Sequence, residues 1–258
     1  MEIKVSLEDL IALVKSTKEL ILGQDVTHDY TAKGKADYVT KVDISVQSYL
    51  QDKLLKMYPE IKFMGEESSD NNIDLDLPTW ILDPIDGTTN LIHQYQMSAV
   101  SLSLMIDKKP YLGIVYNPFT DEMFYAQKGK AAFLNGKPIK VAPVETISEC
   151  LVSIGTSPYE KYRADEIFET FKKIFVSAQD IRRSGSAALD LCYVAAGRLG
   201  GYLERGLKPW DYMAGAVIIQ EAGGSVSDWD DNEIKYGEYS DVLSSNKNIH
   251  KELLELAK

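Results

Sequence analysis

Leu7, Leu10, Ile11 and Val14 recur at helical spacing and predict an amphipathic helix over about residues 6–22. After the polar stretch "TAKGKADYVT", Val46, Leu50, Leu54 and Met57 carry the buried stripe of a second helix. "PEIKFMGEES" reads as a short strand that ends in acids. In "VSLSLMI", Val100, Leu102, Leu104 and Ile106 alternate with Ser101, Ser103 and Met105, the period of a strand. "KKP", "YNPFTDE" and "LNGKP" punctuate the chain beyond it, and Asn135-Gly136 is a hairpin signal, so residues 98–141 are expected to be mostly antiparallel sheet. Further on, Ile167, Phe168, Phe171, Ile174 and Phe175 form a helical face, "SGSAALDLCYVAAG" reads as helix and "GGYLERG" as a brief strand. "WDYMAGAVIIQEAGG" reads as a helix closed by Gly223-Gly224. Strand-rich and helix-rich stretches interleave with no linker, repeat or low-complexity tract. The expected fold is therefore layered mixed α/β, a single unit over residues 1–258 with an N-terminal lobe (1–142) and a smaller C-terminal lobe (143–258).

Composition narrows the function. A chain of 258 residues, 45% hydrophobic and 26% charged, has the make-up of a globular protein with a sizeable core. A net charge of −11 argues against a nucleic-acid backbone as partner, although a bound metal can reverse the field locally. Cys150 and Cys192 give no disulfide framework and no metal-ligand spacing, and read as buried structural thiols. The N-terminal segment has early acids and no uninterrupted apolar core, and no segment approaches a membrane span. A cytoplasmic protein without membrane association is expected.

"WILDPIDGTTN", Trp80 to Asn90, holds the candidate chemistry. Pro84 biases Asp83 toward extended backbone, Gly87 permits a turn, and Thr88 and Thr89 read as a helix opening whose free N–H groups suit a phosphate. Asp83 and Asp86 thus converge. Glu66 and Glu67 in "GEES", Asp211 in "PWDYMAG" and Asp43 in "VTKVD" are candidates to join them. Each has a plain alternative: Asp211 and Asp43 as helix caps, "GEES" as a solvated turn. Two carboxylates about 4 Å apart repel by roughly 4 kcal/mol at an effective dielectric near 20. Three or four together rival the roughly 5–15 kcal/mol that holds a domain folded. Oxygen donors with no nearby His or Cys point to a hard cation, Mg²⁺ in the first place.

"GEES", "WILDPIDGTTN" and "KPWDYMAGAVIIQEAGG", in this order and across nearly the whole chain, closely resemble the inositol monophosphatase family of Mg²⁺-dependent, lithium-sensitive phosphatases. The resemblance implies an αβαβα sandwich of the inositol monophosphatase and fructose-1,6-bisphosphatase type, and a homodimer. It implies that Glu66, Asp83 and the Ile85 carbonyl ligate one metal and that Asp83, Asp86 and Asp211 hold a second, with Glu66 extending to a third, weaker ion. Asp43 resembles the acid beside the nucleophile and Thr88 the threonine that orients the attacking water, while the Gly87 and Thr88 amides would take the phosphate. Ser186, where threonine is common in the family, and Ala187 match substrate contacts, with Asp86 beside them. Glu204 matches the acid that accepts an inositol hydroxyl. Lys33 resembles a lysine of the flap after the first helix, with Lys35 as a competing alignment.

The implied reaction is hydrolysis of a phosphomonoester by a metal-activated water, with no phosphoenzyme. No "GxSxG" is present, and His28, His93 and His250 share no motif, with His93 expected as packing or a pocket wall. Trp80 and Trp210 flank the aspartates and are expected to wall the site. "DWDDNE" (228–233) lacks the calcium-loop spacing and reads as a solvated loop, and the fifteen tyrosines show no basic interleaving that would suit RNA. Substrates in the family's range are inositol phosphates, fructose 1,6-bisphosphate, 3′-phosphoadenosine phosphates and NADP. Glu204 favours a neutral polyol, because a carboxylate repels a second phosphate. Two other classes stand beside the enzyme: an interaction module of a transcription complex, and a metal-storage or sensor protein.

Overall fold

The computed structural model describes residues 4–24, 30–34, 37–69, 71 and 73–258; His28 and Lys35 lie outside them. The predicted first helix is two helices, α1 (Leu7–Lys15) and α2 (Lys18–Leu22). The break has a local cause. Ser16 Oγ donates to Leu13 O and Thr17 Oγ1 to Val14 O, so side chains compete for the carbonyls the helix would use. A small antiparallel hairpin of β1 (Tyr30–Gly34) and β2 (Asp37–Thr40) leads into α3 (Lys41–Met57), whose first turn is closed by a capping box between Thr40 and Asp43.

A seven-stranded sheet comes next, in the order β3-β4-β5-β6-β7-β8-β9. Its strands are β3 (Lys62–Gly65), β4 (Thr79–Asp86), β5 (Ala99–Ile106), β6 (Lys109–Asn117), β7 (Glu122–Gln127), β8 (Ala132–Leu134) and β9 (Lys137–Ile139). From β4 onward every pairing is antiparallel, as the alternation in residues 98–141 predicts, and only β3 runs parallel to its neighbour. Asn135 and Gly136 both have positive φ at the β8–β9 turn, the conformation that a tight hairpin twist requires. The short helix α4 (Thr88–Ile92) leaves β4 through Gly87.

The second sheet has the order β11-β10-β12-β14-β13, from β10 (Leu151–Ile154), β11 (Asp180–Arg182), β12 (Gly201–Leu207), β13 (Ser225–Ser227) and β14 (Ser240–Ser245). Its helices are α5 (Ala164–Ser177), α6 (Ala187–Ala195), α7 (Pro209–Glu221) and α8 (His250–Ala257). The α7 helix is buried almost all round, as expected of a helix between two sheets.

Strand alternation produces the layers. Trp80, Leu82, Val100, Leu102 and Leu104 point to one face and pack with α1 and α3, including Val46 and Leu50. Ile81, Met105 and Val115 point the other way, onto Leu191 of α6 and Val217 of α7. Those helices meet Tyr202 and Val242 of the second sheet, whose opposite face sends Val152, Leu203 and Leu243 to α5 and α8. The result is the αβαβα sandwich.

Three predicted core positions lie at the surface. Met57, the last residue of α3, is 40% exposed, whereas Leu50 and Leu54 are fully buried. Phe168 and Phe175 are 62% and 57% exposed: each stands about 100° round α5 from the buried stripe of Ile167, Phe171 and Ile174. This pattern sets a stability test. Leu50→Ala is expected to cost roughly 2–5 kcal/mol. Met57→Ala is expected to stay within about 0.5 kcal/mol of the parent. Urea unfolding of both variants checks it, and equal losses would contradict the burial described.

Candidate active site

The site opens where β4 stops pairing regularly. Its register with β5 shifts between Asp83 and Asp86, a bulge that turns two nearby carboxylates toward one point. Asp83 Oδ1 accepts the Ile85 amide at 2.9 Å, which fixes the Asp83-Pro84-Ile85 turn. Gly87 then has φ +89°, and a Cβ there would sit 2.8 Å from Met97 O. No other residue type fits this position without strain.

The remaining groups arrive from both halves of the chain. Asp211 stands in the first turn of α7, its Oδ2 accepting the Lys208 amide at 2.8 Å. Asp86 Oδ2 accepts the Ser186 hydroxyl at 2.5 Å and the Ala188 amide at 2.7 Å, so the opening turn of α6 grips a carboxylate. Asp83, Asp86 and Asp211 each offer an oxygen within 4.8 Å of the others. All three aspartates keep lone pairs in reserve, because a carboxylate accepts at about four positions. Asp211 therefore caps its helix and faces the cluster at once.

Glu66 follows β3 and does not join that trio; its carboxylate stands 3.9 Å from Lys33 Nζ and 3.8 Å from Lys208 Nζ. Lys33 also pairs with Glu67. Asp43 is fully buried, holding the Thr40 amide at 2.9 Å and the Thr88 hydroxyl at 2.8 Å. The Ile85 carbonyl lies 3.1 Å from the same Thr88 oxygen. Asp43 thus caps α3 and accepts from Thr88 of the Ile85–Thr88 turn at once.

Burial governs the electrostatics. It pushes Glu66 up to about 7, against the pull of Lys33 and Lys208. It pushes Asp86 up to about 6, against the Ser186 and Ala188 hydrogen bonds. Asp83 and Asp211 are held well above the usual carboxylate range by burial and by the charges around them, Glu66 first. Such a cluster needs protons or a cation. An all-oxygen donor set with fixed carboxylates suits a hard divalent ion such as Mg²⁺.

A cavity of about 350 Å³ stands in front of the cluster. Glu66, Asp83, Asp86 and Asp211 line it, with the Ile85–Thr88 turn beside them. Ser186, Ala187 and Glu204 line it too, as the sequence predicts for the substrate side. The Ser186 hydroxyl, however, is committed to Asp86. Glu204 is anchored by the Ser157 amide at 3.0 Å and the Tyr202 hydroxyl at 2.6 Å, and burial raises its pKa. It occupies space that only glycine leaves: a Cβ on Gly155 would lie 1.9 Å from Glu204 Cδ.

Two expectations need correcting. Trp80 is fully buried in the core, its ring centroid 5.6 Å from that of Tyr58. Three residues before Asp83, it points to the opposite face of β4. Trp210 lies outside the lining as well, its ring under Lys208 Nζ. His93 does line the cavity, whereas His250 is buried between the Ser227 and Ser245 hydroxyls. Sequence reasoning missed Gly155, Arg183 and Asp190, all in the cavity wall. Of these, Asp190 carried a signal, an acid inside the apolar run "AALDLCYVA".

Comparison with known proteins agrees with the geometry. "Inositol-1-monophosphatase" of Synechocystis is 40% identical over 224 residues, 86% of this chain and 77% of that protein. "Nus factor SuhB" of Escherichia coli is 36% identical over 223 residues, 86% of this chain and 83% of that one. The solved structure of the Thermotoga maritima IMPase superposes with a TM-score of 0.89 at 31% identity, covering 97% of this chain and 96% of that one. The inositol monophosphatase family model matches residues 5–258, and the chain belongs to that family.

Proposed function

We propose that the protein is a Mg²⁺-dependent phosphomonoester hydrolase whose substrate is an inositol monophosphate. The observation that carries this reading is a juxtaposition in one cavity. Two buried aspartates, Asp83 and Asp86, and the half-buried Asp211 stand at one end beside the Thr88–Asp43 pair, and Glu204 lies in the wall of the same cavity.

Asp83, Asp86 and Asp211 hold the ion in this reading, with Glu66 and the Ile85 carbonyl completing a set for two ions. Bound Mg²⁺ supplies charge neutralisation for the phosphate, activation of water and stabilisation of the departing alkoxide. The chain's own residues do the rest. The Thr88 hydroxyl donates to Asp43, so its oxygen is left as an acceptor that aligns a nucleophilic water. Glu66 is the second acceptor for that water. The Gly87 and Thr88 amides cradle the phosphate. Ser186 acts by fixing Asp86, and Ala187 forms the wall beside it. Glu204 accepts a substrate hydroxyl and disfavours a second phosphate near it. Arrangement, not covalent chemistry, provides most of the rate in phosphoryl transfer.

The substrate's identity rests on Glu204 and on the names of relatives. Fructose 1,6-bisphosphate, NADP and 3′-phosphoadenosine phosphates are the alternatives. Likeness to a protein called a Nus factor supports a second reading, an interaction protein in which catalysis is secondary. The complete carboxylate set favours the enzyme, since buried repelling acids benefit a scaffold in no way. No helix among the described residues is long and apolar enough to cross a membrane. Lithium inhibition and a homodimer in the cytoplasm belong to this proposal.

Phosphate release from inositol 1-phosphate, fructose 1,6-bisphosphate, 3′-phosphoadenosine 5′-phosphate and NADP, each with Mg²⁺ and with EDTA, tests it. Metal-dependent release fastest on inositol 1-phosphate is expected. Faster release from another compound overturns the assignment of Glu204, and no release from any moves the interaction reading to the front. Asp86→Asn is expected to lower turnover at least ~100-fold, beyond the usual effect of losing a supporting residue. Its fold should persist, and a matching loss of Tm without Mg²⁺ would count against a role in catalysis.

The carboxylates also predict a pH dependence for the metal-free protein. Burial raises Glu66 from 4.5 to about 7 and Asp86 from 3.8 to about 6. A folded-state pKa above the unfolded one means the folded state binds the proton more tightly. The stability this contributes is present below the unfolded pKa and is lost as pH rises through the folded one. Tm in EDTA is therefore expected to fall between about pH 4 and pH 7, and the Tm gain from added Mg²⁺ to grow over the same interval. Melts across that range check it, and a Mg²⁺ gain independent of pH would contradict it.

A further inference from the structure

Asp190 is a buried acid that the proposed chemistry leaves unused. It lies in the first turn of α6, is only 3% exposed, and lines the same cavity as the aspartate cluster. Its Oδ2 accepts the Ser184 hydroxyl at 2.8 Å. With that hydrogen spent, the Ser184 oxygen accepts the Ser186 amide at 3.0 Å. Ser186 then presents its own hydroxyl to Asp86, and its carbonyl receives the Asp190 amide at 3.1 Å. From the other side, Asn90 Nδ2 donates to Ser184 O at 3.0 Å and to Met97 O at 2.6 Å, tying the turn to α4. Gly185 between the two serines has φ +87°, so the turn is not the default path of the backbone.

A hydroxyl that is free to rotate makes a poor anchor. Ser184 carries one hydrogen and can give it to solvent, to the Ser186 carbonyl 3.1 Å away or to Asp190. Asp190 takes that hydrogen, since its oxygen lies 2.8 Å away against 3.1 Å for the carbonyl. That choice orients the oxygen lone pairs toward the Ser186 amide and locks the cap. The locked cap aims one hydroxyl and one amide at Asp86 Oδ2 and sets the carboxylate's tilt toward Asp83 and Asp211. Burial raises Asp190 to about 7, against the hydrogen bond from Ser184.

We infer that Asp190 is a positioning residue for the metal centre, acting through Ser184 and the Ser186 cap to hold Asp86 in its ligating orientation. This rests on the metal-binding reading above. Mn²⁺ titration of the whole protein by calorimetry, with thermal melts alongside, tests it using Asp190→Ala, Ser184→Ala, the double variant and Asp190→Asn. Each alanine variant is expected to weaken Mn²⁺ binding about tenfold, as loss of an outer-shell partner does elsewhere. The double variant should be no weaker than the worse single one, because both remove the same link. Asp190→Asn keeps an acceptor for Ser184 and should bind within about threefold of the parent. Ser184→Ala deletes a single atom, so it carries the test if Asp190→Ala does not fold. Unchanged Mn²⁺ affinity in Ser184→Ala, or additive losses in the double variant, would overturn the inference while leaving the metal site standing. Absence of Mn²⁺ binding in the parent would overturn the metal reading itself, and this inference with it.

Discussion

Mutual repulsion among desolvated carboxylates is the constraint that organises this molecule. Asp83, Asp86 and Asp211 are brought within 4.8 Å of one another, with Glu66 near enough to raise the pKa of Asp83. Nothing in folding alone favours that, and each acid is restrained by the protein's own donors: a turn amide, a helix cap and a helix N-terminus. The lysines at Glu66 supply part of the missing positive charge. The geometry is that of a cluster that needs protons or a cation to balance it.

The layered fold is what allows the acids to meet. One comes from the bulge near the end of β4, one from the last residue of that strand and one from the first turn of α7, the helix wedged between the sheets. Helix starts bring unpaired amides with them, so the two central helices deliver donors to the same place where the strand delivers acids. The rigid layers behind hold these ends still. A site that depends on sub-ångström placement of charges gains from standing on regular elements.

Much of this was legible in the sequence, and the limits are instructive. The alternation of residues 100–106 and the Asn135-Gly136 turn are local signals, and the structure follows them. The approach of Asp83 to Asp86 could be argued locally from Pro84 and Gly87, whereas Glu66 and Asp211 joined them as metal ligands only through the family resemblance. Trp80 shows where adjacency misleads, since strand geometry sends residues 80 and 83 to opposite faces. Phe168 and Phe175 show that an apolar residue beside a helical stripe need not belong to it. Gly155 was invisible because its role is an absence, defined by Glu204 on another strand. The Asn90–Ser184 bond joins residues 94 apart, and no periodicity encodes such a pairing.

The order in which the chain is made gives the Ser186 cap a further meaning. Asp83 and Asp86 leave the ribosome well before the turn at Ser184–Ser186 and before Asp211, so Asp86 emerges without the Ser186 and Ala188 donors it has in the finished fold. Strands β4 and β5 can pair, but their acidic end has no partner until α6 and α7 are synthesised and docked. Docking of α6 and α7 therefore completes the charge pattern while β13, β14 and α8 still follow in the chain.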